Sequence, residues 1–226
     1  MAVQRRSAFV AAFVGAAIAA AAAIAAATPV APPPGATVRT AHPTFRWTLP
    51  ANEGSQGIFI ANSPAVTAEG QFPEGNVVAV DVLTLDSRKW TAPWPLYAGR
   101  YWWNVWSTDL ETVESFYSAP AAFTIPVALR LYGVRAKRFS VPRRRLWVDV
   151  RASANVKRPL VRIRLLLDRR IVWKTARRAY GNIIPGAFDF YWYPGRGVKP
   201  GTHLRLTATI SSGGVVRSRS IPVRAP

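Results

Sequence analysis

Between Leu96 and Trp106 the chain reads Leu-Tyr-Ala-Gly-Arg-Tyr-Trp-Trp-Asn-Val-Trp, and no other stretch limits its fold as tightly. Bulky aromatic and β-branched residues favour a pleated, extended backbone. Successive side chains of a strand point to opposite faces. Tyr101, Trp103 and Val105 therefore fall on one side, and Trp102, Asn104 and Trp106 on the other.

The flanks sharpen this reading. Pro33-Pro34-Gly35-Ala36 and Pro43-Thr44-Phe45-Arg46-Trp47 precede the strand, and Tyr117-Ser118-Ala119-Pro120-Ala121-Ala122-Phe123-Thr124 follows it. Residues 33–126 resemble a bacterial fibronectin type III-like domain. The resemblance implies that Leu96 plugs the bottom of the core, that Gly99 allows a tight turn, and that the Tyr101 hydroxyl reaches back to the backbone as a tyrosine corner. Such folds carry many unrelated tasks, so function stays open.

The second half alternates apolar and polar residues in short runs, the period of half-buried strands. Strands are predicted at 146–152, 160–167, 171–176, 188–193 and 204–210, with turn residues between them at Asp168-Arg169, Pro185-Gly186, Pro194-Gly195 and Pro200-Gly201. The closing run from Pro200 to Gly214 resembles the last hairpin of a bacterial immunoglobulin-like repeat, with His203 where that family carries Tyr.

Charge divides at the same place. From Thr28 to Pro126 five basic residues face eight acids, a net of −3; from Val127 onward 23 basic residues face only Asp149, Asp168 and Asp189, a net of +20. Such a split marks a boundary near Pro126 and a difference in what each half attracts. Only five of the 30 basic residues are Lys, as a codon bias towards Arg would give. That bias does not explain why the charge is concentrated in one half.

Arg5-Arg6, an uncharged Ala-rich run and Ala25-Ala26-Ala27 have the layout of a secretory signal. The same run of 21 residues, Ser7 to Ala27, is long enough for an uncleaved membrane anchor. Either reading places the rest of the chain outside the cytoplasm. With no cysteine, a disulfide framework is excluded, and nine Trp and ten Phe must stabilise the fold by burial. The expected organisation is all-β: a signal or anchor helix over 1–27, a Pro-rich linker over 28–36, a fibronectin type III-like sandwich over 37–126 and a basic immunoglobulin-like sandwich over 127–226.

Two surfaces are candidates for binding. If Leu160–Leu167 and Leu204–Ile210 are neighbouring strands, Arg162, Arg164 and Arg205 share one exposed face, with Arg143-Arg144-Arg145, Arg169-Arg170 and Arg177-Arg178 adding to its field. Guanidinium groups pair with phosphates and carboxylates. Arg217 and Arg219 break the pattern, because they share parity with Ile221 and Val223; a bulge or a shifted register would explain it. In the first half Trp102 and Trp106 would stack on sugar rings if their face is open, and would pack against neighbouring strands if it is not. Trp90 and Trp94 are similar candidates in a loop.

Catalysis has little support: His42 and His203 lie in different halves, and no nucleophile elbow or zinc-type cluster is present. Asp109, Glu111 and Glu114 lack the spacing of a calcium loop. No cofactor, metal or catalytic residue is predicted. The expected function is non-enzymatic binding or scaffolding at an anionic cell-envelope polymer or membrane surface, with a carbohydrate-binding or carbohydrate-active role for the Trp face as the alternative and extracellular nucleic acid as a third, disfavoured by export.

Overall fold

In the computed structural model the described residues are 26–140, 143–179 and 183–226, with the side chains of 183–185 excepted. The predicted signal or anchor helix falls on residues 1–25, outside the described residues, and on Ala26 and Ala27. Among the described residues no helix is long and apolar enough to cross a membrane.

The first part contains β1 (Thr28–Ala31), β2 (Ala36–Thr37), β3 (Thr44–Thr48), β4 (Glu53–Ala61), β5 (Val77–Val82), β6 (Lys89–Thr91), β7 (Gly99–Asp109), β8 (Ser115–Tyr117) and β9 (Ala121–Ile125). Strands β1-β3-β6 form one sheet and β2-β9-β7-β4-β5 the other, with β8 added to β7. Both sheets supply one core: Phe45, Trp47 and Trp90 meet Ile58, Ile60, Tyr101, Trp103, Val105 and Phe123. The Phe45 ring contacts Trp103 and Phe123 edge-on, with centroids 5.1 and 5.4 Å apart, geometry worth about 1 kcal/mol per pair beyond burial.

The predicted linker at 28–36 is instead part of this sandwich. Thr28 and Pro29 pair with Thr48 and Trp47, and Ala27 is buried in the core. Pro29 is tolerated because β1 is an edge strand, where a missing N–H can face solvent. Leu96 is buried and the Tyr101 hydroxyl donates to the Tyr97 carbonyl at 3.0 Å. Gly99 itself sits in a conformation and in surroundings that do not demand glycine. Its φ is outside the left-handed region, and a Cβ there would rest 3.5 Å from the Tyr101 ring, an ordinary contact.

The second part contains β10 (Leu129–Phe139), β11 (Arg145–Ala154), β12 (Leu160–Leu167), β13 (Arg170–Arg178), β14 (Ile183–Trp192), β15 (His203–Ser212) and β16 (Val215–Arg224). They form sheets β10-β11-β14 and β13-β12-β15-β16 around a separate core that includes Val148, Val150, Ile163, Leu165, Leu206 and Trp192. This all-β architecture is consistent with a fibronectin type III or immunoglobulin-like sandwich. Asn155 ties the two parts together. Its Nδ2 donates to Pro126 O at 2.9 Å, its Oδ1 accepts from Ala128 N at 2.7 Å, and its carbonyl accepts from Ala98 N at 2.6 Å.

Candidate functional site

Strands β12 and β15 are hydrogen-bonded neighbours, with Arg162 opposite Thr209, Arg164 opposite Thr207 and Leu166 opposite Arg205. Val161, Ile163 and Leu165 point into the core, so the residues between them point out. Arg162, Arg164 and Arg205 are accordingly exposed on one sheet face. The flanking strands extend this face in ordered rows. Lys174, Arg164, Thr207 and Ser220 form one; Ala176, Arg162, Thr209 and Ser218 the next; Ile171, Leu166, Arg205 and Pro222 a third.

Lys174 joins the cations here, a residue that sequence periodicity alone did not place. The extra residue at Val172, where the register shifts between Leu165 and Leu166, sets Lys174 opposite Arg164. The side chains of Arg162, Arg164, Lys174 and Arg205 form no hydrogen bond or ion pair with a described residue. No carboxylate lies on the strands of this face. Asp168, in the β12–β13 turn, shares a shallow pocket with Arg169, His203 and Arg205 at its end.

The other two aspartates lie on the opposite sheet, directly across from each other on β11 and β14. Asp149 is buried and ion-paired with Arg151 at 3.2 Å, while Asp189 accepts from the Trp147 indole at 2.9 Å. Two of the three acids of this half thus lie on the sheet away from Arg162, Arg164 and Arg205. The predicted contribution of Arg143-Arg144-Arg145 needs correcting in part. Arg144 is turned to the C-terminal carbonyl of Pro226 at 2.7 Å, and Arg145, on β11, lies over the Phe139 ring at 4.9 Å.

Neither a bulge nor a shifted register interrupts β16. Arg217 and Arg219 do share the core-side parity of Ile221 and Val223. At this open edge of the sandwich their long side chains escape burial, and Arg219 donates to Tyr132 O in β10 at 3.0 Å.

The outer face of β7 is not an open stacking platform. Trp102 and Trp106 are half-buried, and Asn104 is fully buried with its Nδ2 donating to Gly70 O at 2.9 Å. Trp106 stacks on Tyr117, with centroids 6.3 Å apart and planes 16° apart. Arg100 lies 5.1 Å from the Trp102 ring centroid. The connection from β4 to β5 covers the face: Phe72 is buried, and Gly70, at φ 88°, passes so close that an added Cβ would come within 3.1 Å of Tyr117. Trp90 is in the core with its indole donating to Asp81 at 2.7 Å, whereas Trp94 is 46% exposed.

The acidic turn after β7 is occupied by its own backbone. Asp109 Oδ1 accepts from the N–H groups of Glu111 and Thr112, each at 2.8 Å. The bonds from Thr112 and then Glu111 hold its carboxyl below the usual carboxylate range. Among the described residues no group of acids and histidines forms a metal cluster.

No protein-family profile matches this chain, and no curated protein matches it. Among solved structures it is similar to the FN1-FN3 domains of chicken CNTN1 (12% identity, 88% of this chain and 69% of that one, TM-score 0.29). It is also similar to an α-L-rhamnosidase from Dictyoglumus thermophilum (12% identity, 86% and 29%, TM-score 0.31). A third is Escherichia coli alpha-2-macroglobulin (12% identity, 88% and 22%, TM-score 0.33). The chain spans less than a third of the latter two proteins. Overlays this loose transfer no site and no activity.

Proposed function

We propose that this chain is a non-enzymatic, exported pair of β-sandwiches, the first fibronectin type III-like and the second immunoglobulin-like, that attaches to an anionic cell-envelope polymer through the second sandwich. One observation carries the reading: Arg162, Arg164, Lys174 and Arg205 stand unpartnered, among described residues, on a sheet face whose strands carry no acid. Desolvating paired cations brings little gain, whereas unpaired guanidinium groups on a preformed sheet surface are ready for oxyanions. Neutralising a charged polymer also releases its counterions, which drives association at low salt. Export is proposed from the Arg5-Arg6 and Ala-rich leader pattern.

The test is a binding titration of the full chain against inorganic polyphosphate. Changing Arg162, Arg164 and Arg205 together to Ala should weaken binding by about tenfold or more, the loss of three charge-assisted contacts. Unchanged affinity in a folded triple variant would contradict the reading.

A further inference from the structure

The cationic rows continue directly into a strip of hydroxyl groups. Thr207 Oγ1 lies 2.8 Å from Ser220 Oγ, and Thr209 Oγ1 lies 3.1 Å from Ser218 Oγ, all four on the same outer face as Arg162 and Arg164. Within each pair one hydroxyl donates to the other, which uses one hydrogen of two. The second hydrogen and the remaining lone pairs are left for an outside partner. Thr207 and Thr209 are the cross-strand neighbours of Arg164 and Arg162, so the backbone carrying each arginine runs about 5 Å from the backbone carrying one of these hydroxyl pairs.

We infer that the polymer held on this face is a polyol phosphate, a phosphodiester-linked chain whose repeats carry free hydroxyl groups, with its phosphates on Arg162, Arg164 and Lys174 and its hydroxyls on the Thr–Ser strip. This rests on the attachment proposed above and names its ligand class. Cations alone accept any polyanion. Outward hydroxyl pairs are both donors and acceptors, as polyol hydroxyls are, and they complement a ligand that inorganic polyphosphate and polyglutamate do not resemble. Arg162 and Arg164 are two residues apart on one strand, about 7 Å, a separation that successive phosphates of an extended phosphodiester chain can match. The rows cross four hydrogen-bonded strands, so an extended chain lying along β12 can touch both strips.

The full chain is titrated with poly(glycerol phosphate) and, at matched phosphate content, with inorganic polyphosphate. The variant Thr207→Val, Thr209→Val, Ser218→Ala, Ser220→Ala removes the strip while retaining every charge, and β-branched Val keeps the strands extended. Its affinity for poly(glycerol phosphate) should fall about tenfold, as the loss of two or three net hydrogen bonds gives, with polyphosphate binding unchanged within about twofold. Equal loss on both polymers, or no loss on either, overturns the polyol assignment. Arg162→Ala with Arg164→Ala should weaken both polymers; if it weakens neither, the underlying attachment reading fails as well. Tighter binding to phosphatidylglycerol vesicles than to the soluble polymer would overturn a polymer as the source of the phosphates. Circular dichroism establishes that each variant is folded before its affinity is read.

Discussion

The Tyr101 hydroxyl donates to the Tyr97 carbonyl at 3.0 Å, fastening the start of β7 to the chain that enters it. Burial, and then the neighbouring Tyr97, push the Tyr101 pKa up. The folded chain therefore resists losing this proton more than the unfolded chain does.

Stability from this group is fully present below the ordinary tyrosine pKa of about 10 and is lost as pH rises through the raised folded value. Tyr101→Phe should cost about 1 kcal/mol at neutral pH and flatten the alkaline loss. Urea unfolding of both proteins between neutral and strongly alkaline pH measures this. An equally steep alkaline loss in the variant would show that other groups are responsible.

Trp106→Ala should destabilise the first sandwich by about 2 kcal/mol, less than the 3 to 5 of a fully buried aromatic, because it is half-buried against Tyr117. Denaturant unfolding followed by Trp fluorescence checks it. A loss below about 0.5 kcal/mol, the scale of a surface change, would mean that the β4–β5 connection does not cover this face in solution.

Much of this architecture is readable from residue order, and the limit of that reading is physical. Leu96 and Tyr101 belong to a local motif, and the core sets Val161-Ile163-Leu165 and Leu204-Leu206-Ala208 follow from the two-residue period of a strand. Periodicity tells which side of β7 bears Trp102 and Trp106, but not that a segment distant in sequence packs over them through Phe72 and Gly70. Strand β10 escapes a pattern search because its register shifts between Leu131 and Gly133 and its exposed positions are crowded with Arg and Lys. Lys174 depends on a bulge, and the Thr–Ser strip on the register of β15 against β16. Each is a property of pairing between strands.

Asn155→Ala removes two hydrogen bonds to the connector, from Nδ2 to Pro126 O and from Ala128 N to Oδ1. A cost of about 1 to 3 kcal/mol is expected, together with a wider range of angles between the sandwiches. Calorimetry gives the first and small-angle scattering the second. A variant with wild-type stability and an unchanged scattering profile would contradict the clamp.

Val113 sits at φ 62° and is 76% exposed, a left-handed conformation that a β-branched residue adopts only under strain. Val113→Gly relieves about 1 to 2 kcal/mol of backbone strain, partly offset by the freedom glycine gains when unfolded. A net gain of about 0.5 to 1 kcal/mol should raise the melting temperature by a few degrees. A lowered melting temperature would show that the turn is not held in this conformation.

The most direct test of the account is the salt dependence of polyphosphate binding by three full-length proteins. The wild type is compared with the Arg162→Ala, Arg164→Ala, Arg205→Ala variant and with an Arg135→Ala, Arg196→Ala, Lys199→Ala variant that loses the same charge elsewhere. If the face makes the contacts, the first variant's plot of log affinity against log salt should be shallower by about 2, at roughly 0.7 per lost contact on a single-stranded polyanion. The second variant should keep close to the wild-type slope. Equal slopes for the two variants would mean that the net charge of this half, and not the face on β12 and β15, attracts the polymer.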